Sequence, residues 1–193
     1  MINYYENGHK YLKHNLTIIP SVSELVQFAT KENFWGIPES VLKKAGEFGT
    51  DIHTAIESNL LDDKEPDFLL PNYQNAWQCF LDLKDIIEGA IDMEQIITYQ
   101  ERYAGRYDLL LKDKKILIDF KTNSKYDDKL HQHLRWQMGY YNLGLKEQGI
   151  EVEKNYCMWL AKKGKGKLVE IDVVQEKDLV RNLEEYEINN KQR

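Results

Sequence analysis

The chain has 193 residues, 42% of them hydrophobic and 30% charged, with a net charge of −6. That length and composition suit one soluble globular domain with a real core. They exclude a protein that coats nucleic acid through bulk positive charge, but not an enzyme with a local basic groove. No apolar run is long enough to span a membrane. The N-terminus lacks a basic segment followed by an apolar one, so the expected compartment is the cytoplasm. Cys79 and Cys157 read as packing residues in a reducing compartment, and two cysteines cannot supply the four thiolates of a usual iron–sulfur cluster.

Residues 2–12 predict a small hairpin about an Asn7-Gly8 turn, flanked by Tyr4, Tyr5, Tyr11 and Leu12. Pro20 breaks the chain. Ser21, with Glu24 three residues on, gives a capping-box pattern for the short helix S-V-S-E-L-V-Q-F-A. A loop with exposed Phe34 and Trp35 covers 30–38. From Glu39 to about Leu61 the pattern is helical, interrupted by Gly46 and Gly49, with Thr50 placed to cap the second part. There His53 and Glu57 stand one turn apart on one face, while Ile52, Ala55 and Ile56 turn toward a core. The acidic stretch 62–71, containing Pro66 and Pro71, reads as a loop, and Asn72 to Gly89 as a helix.

Strands follow. Met93 to Arg102 predicts one strand. Tyr103 to Leu111 and Ile116 to Lys121 predict a hairpin whose turn centres on Asp113 and Lys114. On that register Asp108 faces Asp119 with Cβ atoms roughly 5 Å apart, a destabilising like-charge pair. A divalent cation would compensate it, because hard cations take carboxylate oxygens. Period-two alternation puts Leu117, Asp119 and Lys121 on one face and Ile116, Ile118 and Phe120 on the other. A polar loop over 122–128 precedes a helix from His131 to Glu147, whose stripe is Leu130, Leu134, Met138, Tyr141 and Leu145. Tyr156–Leu160 and Leu168–Val174 read as strands about the turn K-K-G-K-G-K, and Glu176–Tyr186 as a terminal helix. Two basic patches stand out: Lys112, Lys114 and Lys115 in the first turn, and Lys162, Lys163, Lys165 and Lys167 in the second. Each suits nucleic acid and is also explained as a solvated turn. No internal repeat or interdomain linker interrupts this order, which suggests one mixed sheet flanked by helices.

Asp108, ten residues, then Asp119-Phe120-Lys121 resembles the D…D-x-K signature of the PD-(D/E)XK nucleases. Three further elements follow the same family's order. G-T-D-I-H-T-A-I-E resembles the helix of RecB-like nucleases that carries a metal-ligating histidine. Glu101-x-x-x-Gly105-Arg106-x-Asp108 resembles the approach to the first acid, and Gln137-Met138-Gly139-Tyr140-Tyr141 fits a Q-x-x-x-Y element. The resemblance spans about residues 46–141, and P-S-V-S-E-L looks like the start of phage-type exonucleases of this superfamily.

The resemblance implies an α/β, restriction-endonuclease-like core, a mixed central β-sheet flanked by α-helices. One nuclease domain would cover 1–193, with the hairpin and short helix in 1–38 preceding the core in 39–193. It implies hydrolysis of DNA phosphodiesters with Mg²⁺ or Mn²⁺. Asp108 and Asp119 would hold the metal with His53 and the carbonyl of Phe120, and Lys121 would position the attacking water or neutralise the transition state. Gln137 and Tyr141 would contact DNA or support the lysine, Arg106 a phosphate, and Trp136, beside Arg135, a base. Glu57 would orient His53 or ligate, and Glu101 would touch a second metal or a water. The plainer alternatives stay open: a structural histidine at His53, a surface acid at Glu101, a helix-surface Gln137 and a core Tyr141. His9, His14, His131 and His133 read as surface positions. The leading function is an exonuclease on linear DNA ends in phage or bacterial recombination or repair. The alternatives are an endonuclease of the same fold, restriction or junction-resolving, and a non-catalytic DNA-binding protein. Besides DNA, the family allows a single-strand annealing or recombination protein as partner, and a homo-oligomer.

Overall fold

The computed structural model describes residues 3–5, 10–13, 17–32, 36–113 and 115–191. The Asn7-Gly8 turn, His9, His14, Phe34, Trp35 and Lys114 lie outside them. Strands β1 (Asn3–Tyr5) and β2 (Lys10–Leu12) pair antiparallel as the expected hairpin, and a third strand, β3 (Ile18–Ile19), adds to β2. Helix α1 (Val22–Thr30) starts on the capping box: the Ser21 hydroxyl accepts from the Glu24 N–H, and the Ser21 N–H donates to the Glu24 carboxylate at 2.7 Å.

Helix α2 (Glu39–Asp62) is continuous, not two helices broken at its glycines. Each glycine costs about 1 kcal/mol relative to alanine. Burial of Phe48, Ile52, Ala55 and Ile56 along the inner stripe contributes more than that, so Thr50 lies within the helix and caps nothing. Helix α3 (Pro71–Leu83) takes Pro71 into its first turn, where a missing N–H costs nothing, and a 3₁₀ turn, Lys84–Ile86, ends it.

The remaining elements are β4 (Ile91–Met93), β5 (Ile96–Tyr99), β6 (Tyr103–Arg106), β7 (Leu109–Leu111), β8 (Ile116–Lys121), α4 (Asp128–Glu147), β9 (Lys154–Trp159), β10 (Lys167–Glu170) and α5 (Glu176–Lys191). The central mixed sheet has the order β10-β9-β8-β7-β4; β8 and β9 run parallel and the other neighbours antiparallel. Leu109 opposite Ile118 and Leu111 opposite Ile116 is the register the turn predicts. The two long strands expected over 93–102 and 103–111 are each broken, and β5–β6 forms a separate two-stranded ribbon. Glu94 takes a left-handed φ of 53° at the break. Two hydrogen bonds carry the pair through the bend, Glu94 N–H to Asp108 O at 3.1 Å and Tyr107 N–H to Gln95 O at 3.3 Å.

Strand β8 lies between two cores. Ile118 and Phe120 pack with Phe48, Ile52, Trp77 and Phe80 from α2 and α3. Leu117 packs with Leu134, Met138 and Tyr141 of α4, alongside Val22 and Leu25 of α1 and Leu179 and Leu183 of α5. The expected alternation therefore holds, and Asp119 and Lys121 share the α4 face with Leu117. A buried polar chain fixes that layer: Tyr103 Oη donates to Tyr140 O at 2.7 Å, and Asn182 Nδ2 donates to Tyr140 Oη at 2.7 Å and to Leu25 O at 3.2 Å. Among the described residues no helix is long and apolar enough to cross a membrane.

Strand β6 meets both α1 and α4 at Gly105. A Cβ there would lie 2.6 Å from Val22 Cγ2 and 2.8 Å from Tyr141 Cε1. Gly105→Ala should therefore cost about 1–3 kcal/mol of stability, measured as a lowered denaturant midpoint with an unchanged slope. An unchanged midpoint would mean that α1 and α4 are not seated on this strand.

Candidate active site

Beyond the end of the β7–β8 ladder, the Asp108 carboxylate takes the place of a strand backbone: Oδ2 accepts the Phe120 N–H at 2.7 Å. The expected Asp108–Asp119 juxtaposition thus exists in altered form. Asp108 is anchored to the backbone beside Asp119, and its charge acts to raise the Asp119 carboxyl. Asp119 itself is 1% exposed. Lys121 Nζ stands 2.6 Å from Asp119 Oδ2, while Oδ1 is buried with no hydrogen-bond partner. Burial pushes the Asp119 carboxyl up, and the Lys121 charge pulls it back. For Lys121 burial acts to lower the pKa, but the charges of Asp119 and Asp108 outweigh it and hold the ammonium form.

Helix α2 supplies the histidine. His53 Nε2 lies 3.0 Å from the Phe120 carbonyl. A carbonyl only accepts, so Nε2 carries the hydrogen, and in the neutral ring Nδ1 is an acceptor. That nitrogen faces Asp108 Oδ1 at 3.6 Å. The bend brings in a residue that sequence reasoning missed, Glu94. Single ligand atoms of His53, Glu94 and Asp108 all lie within 4.8 Å of one another. Burial pushes the Glu94 carboxyl up to about 7, and Asp108 adds to the rise against the opposing charge of Arg106. Arg106 Nε is 2.8 Å from Glu94 Oε2. Nothing in the local sequence marks Glu94, since only the break of the strand turns it inward.

Helix α4 forms the opposite wall. Gln137 Nε2 donates to Tyr141 Oη at 3.0 Å, and Gln137 Oε1 is buried with no partner. Burial, then the charges of Asp119 and Asp108, raise the Tyr141 phenol well above its usual range. His133, one turn before Gln137, is half-buried and 3.0 Å from Glu32. Burial and the Lys121 charge lower its pKa against the pull of Glu32. The spacing of four from Gln137 is the signal that places His133 here and not on a plain surface. His131, also read as a surface position, has Nδ1 2.7 Å from the Tyr126 hydroxyl.

These walls enclose a cleft of ≈ 460 Å³, lined by His53, Glu57, Glu94, Arg106, Asp108 and Tyr141 together with Tyr11, Ser21, Val22, Gly49 and Thr50. Of the expected site residues, Asp119, Phe120, Lys121 and Gln137 sit behind this lining, and Glu101, Arg135 and Trp136 are held elsewhere. Glu101 sits in the left-handed turn at the tip of β5–β6, the end of that ribbon away from the bend. Arg135 is held by Asp172, with Nε donating to the carbonyl at 2.9 Å and Nη2 2.9 Å from the carboxylate. Trp136 packs on the α4 core, its ring 6.4 Å from that of Tyr140. Glu57 lines the cleft and adds to the rise at Glu94, and the Phe120 carbonyl is engaged by His53.

The donor set fits a hard divalent cation. His53 Nδ1, Glu94 and Asp108 converge as acceptors, and Asp119 Oδ1 is a buried anionic oxygen without a donor. Carboxylates suit Mg²⁺ and Mn²⁺, and an imidazole nitrogen shifts the preference toward a transition metal.

No family model matches this sequence, and no curated relative does. Among solved structures the chain is similar to a phage-related exonuclease from Haemophilus somnus 129PT, at 12% identity over 89% of this chain and 91% of that one, with a TM-score of 0.46. It is similar also to an alkaline exonuclease, LHK-Exo, from Laribacter hongkongensis, at 8% identity over 86% and 85% of the two chains, with a TM-score of 0.44. A third similar structure, SSO0001, has 17% identity over 85% and 72%, with a TM-score of 0.44.

A cation bound in the cleft should stabilise the fold. At a hundredfold its dissociation constant, Mn²⁺ should contribute about 2.7 kcal/mol, read as a rise in Tm that EDTA reverses. Glu94→Gln and Asp108→Asn should each shrink the rise at the same metal concentration. A wild-type Tm indifferent to Mn²⁺ and Mg²⁺ would remove the cation from this site.

Proposed function

We propose that this chain is a metal-dependent nuclease of the PD-(D/E)XK superfamily that hydrolyses DNA phosphodiesters from linear ends. The observation that carries this is the convergence of Asp108, Asp119 and Lys121 with His53 and Glu94 at the carboxyl end of β8. Those residues come from a helix, a bend and a strand, and an ordinary core does not gather three carboxylates around one histidine.

His53, Glu94 and Asp108 would hold the cation, with Asp119 beside them. When bound, the cation would polarise a phosphoryl oxygen and lower the pKa of a bound water. Lys121, kept charged by Asp119 and Asp108, donates hydrogen bonds to the attacking water or to a phosphoryl oxygen; it positions and stabilises charge and does not abstract a proton. Tyr141 Oη accepts from Gln137, which leaves its own hydrogen to donate toward a phosphate at the cleft wall. The Asp108 bond to Phe120 N–H fixes that carboxylate in place before any substrate arrives. Burial around Asp119 keeps water from screening these charges. The Q-x-x-x-Y element on α4 supports the exonuclease over the endonuclease of the same fold.

The test compares linear single-stranded DNA, linear duplex and closed circular DNA, each with Mg²⁺, Mn²⁺ or EDTA. Metal-dependent loss of the linear forms with intact circles is the expected result, and cut circles would assign an endonuclease. Asp119→Asn and Lys121→Ala should each lower the rate by about 10²-fold or more while circular dichroism still reports the mixed fold. Full activity in both variants would overturn the assignment.

A further inference from the structure

Two lysine clusters flank β8 at opposite ends, and they differ in company. At its amino end Lys112 Nζ lies 2.8 Å from Asp92, and Lys115 Nζ lies 2.9 Å from Glu153 and 3.2 Å from Glu151. That patch is neutralised. The second cluster follows the carboxyl end of β9, which runs parallel to β8 with Trp159 opposite Lys121. Leu160 N–H donates to the Lys121 carbonyl at 2.7 Å. Lys162 comes three residues after Trp159, a chain reach of at most roughly 10 Å. Carboxyl ends of neighbouring parallel strands are where α/β sheets take their ligands.

The loop that carries these lysines is held in shape. Asn75 Nδ2 donates to the carbonyls of Ala161 and Gly164, both at 2.8 Å. Gly164 has a φ of +84°, and a Cβ on Gly166 would lie 2.8 Å from Cys79 Cβ and 2.9 Å from the Trp159 carbonyl. Lys162 Nζ rests 4.1 Å from the centre of the Phe48 ring. Phe48 precedes Gly49 and Thr50, which line the cleft. The loop is thus tied to the helix that supplies His53. Lys163 and Lys165 are exposed, and among the described residues neither meets an acid.

The cleft's own cations are engaged, Arg106 by Glu94 and Lys121 by Asp119. Its cluster of acids repels phosphate until a metal is bound. Affinity for a polyanion has to come from the rim. We propose that Lys163 and Lys165 bind the phosphate backbone of the DNA strand that occupies the cleft, with Lys162 as the residue that positions their loop. This rests on the nuclease function proposed above.

The test is a salt series. Binding of a labelled linear duplex is measured by anisotropy in the Asp119→Asn background, with and without Lys163→Gln/Lys165→Gln. The slope of log K against log salt should fall by about 1.8, since each phosphate contact on a duplex contributes about 0.9. In the otherwise wild-type chain the same pair should raise KM on long duplex and leave kcat unchanged. Lys112→Gln/Lys115→Gln removes the same charge at the other end of β8 and should leave slope and KM as they are. A slope unchanged by the Lys163/Lys165 pair, with cleavage intact, overturns the proposal and leaves the nuclease standing. An equal fall in both pairs also overturns it, in favour of bulk charge. A parent protein that neither binds nor cuts DNA overturns both.

Discussion

Asp119 lies 1% exposed on a central strand, with Lys121 Nζ 2.6 Å from one oxygen and no donor on the other. Desolvating two charges costs several kcal/mol per ion, and one short contact recovers that only when the other lone pairs are also met. Here they are not. An apolar pair in the same place would pack at least as well. The two cores on either face of β8 carry the burden, with Ile118 and Phe120 anchored against α2 and α3 and Leu117 against α4. The acid is held where folding alone would not put it, and the proposed function supplies a reason for it to be there.

The second constraint is the bend at Glu94 and Asp108. A straight hairpin would continue the β7 ladder along β8 and pair the Phe120 N–H with backbone. The break ends the ladder early, so the Asp108 side chain must satisfy that N–H, and in doing so its carboxylate becomes fixed. The same break turns Glu94 toward His53. It also frees β5–β6 to form a ribbon on which α1 and α4 are seated at Gly105. One irregular step in the backbone thus gives the acids their positions and the cleft its walls.

Much of this was legible in the sequence. The β7–β8 register follows from the turn, the capping box from Ser21 and Glu24, and the two faces of β8 from simple alternation. Asp119 and Lys121, with His53 before and Gln137 after, were visible because each lies on a regular element whose period sets its direction; Asp108 was visible only through the register that faces it with Asp119, since it lies in the break between β6 and β7. What was not legible depended on irregular backbone. Glu94 has no pattern to announce it, since its direction comes from a left-handed φ that a glutamate rarely takes. Glu101 looked equivalent by composition and sits instead at a turn tip. Gly46 and Gly49 read as a break because local propensity is visible in sequence and the buried stripe that overrides it is only half visible. His133 read as a surface position, because its spacing of four from Gln137 carries meaning only once the α4 face is extended one turn back.

The distribution of charge follows from the same acids. A cleft lined by His53, Glu94 and Asp108, with Asp119 buried beside them, presents a negative field to a phosphate, and a chain with net charge −6 adds to it. Pairing Arg106 with Glu94 and Lys121 with Asp119 stabilises the cluster of acids but engages the cations nearest to it. A long polyanion then needs further positive charge that the acids do not neutralise, on an element held in place. The β9–β10 loop meets both conditions. Asn75 and Phe48 hold it in place, and the acids that neutralise Lys112 and Lys115 lie at the far end of the sheet. In the function proposed above, keeping the acids of the cleft apart from the lysines of the β9–β10 loop would let one site serve a cation and an anion without either quenching the other.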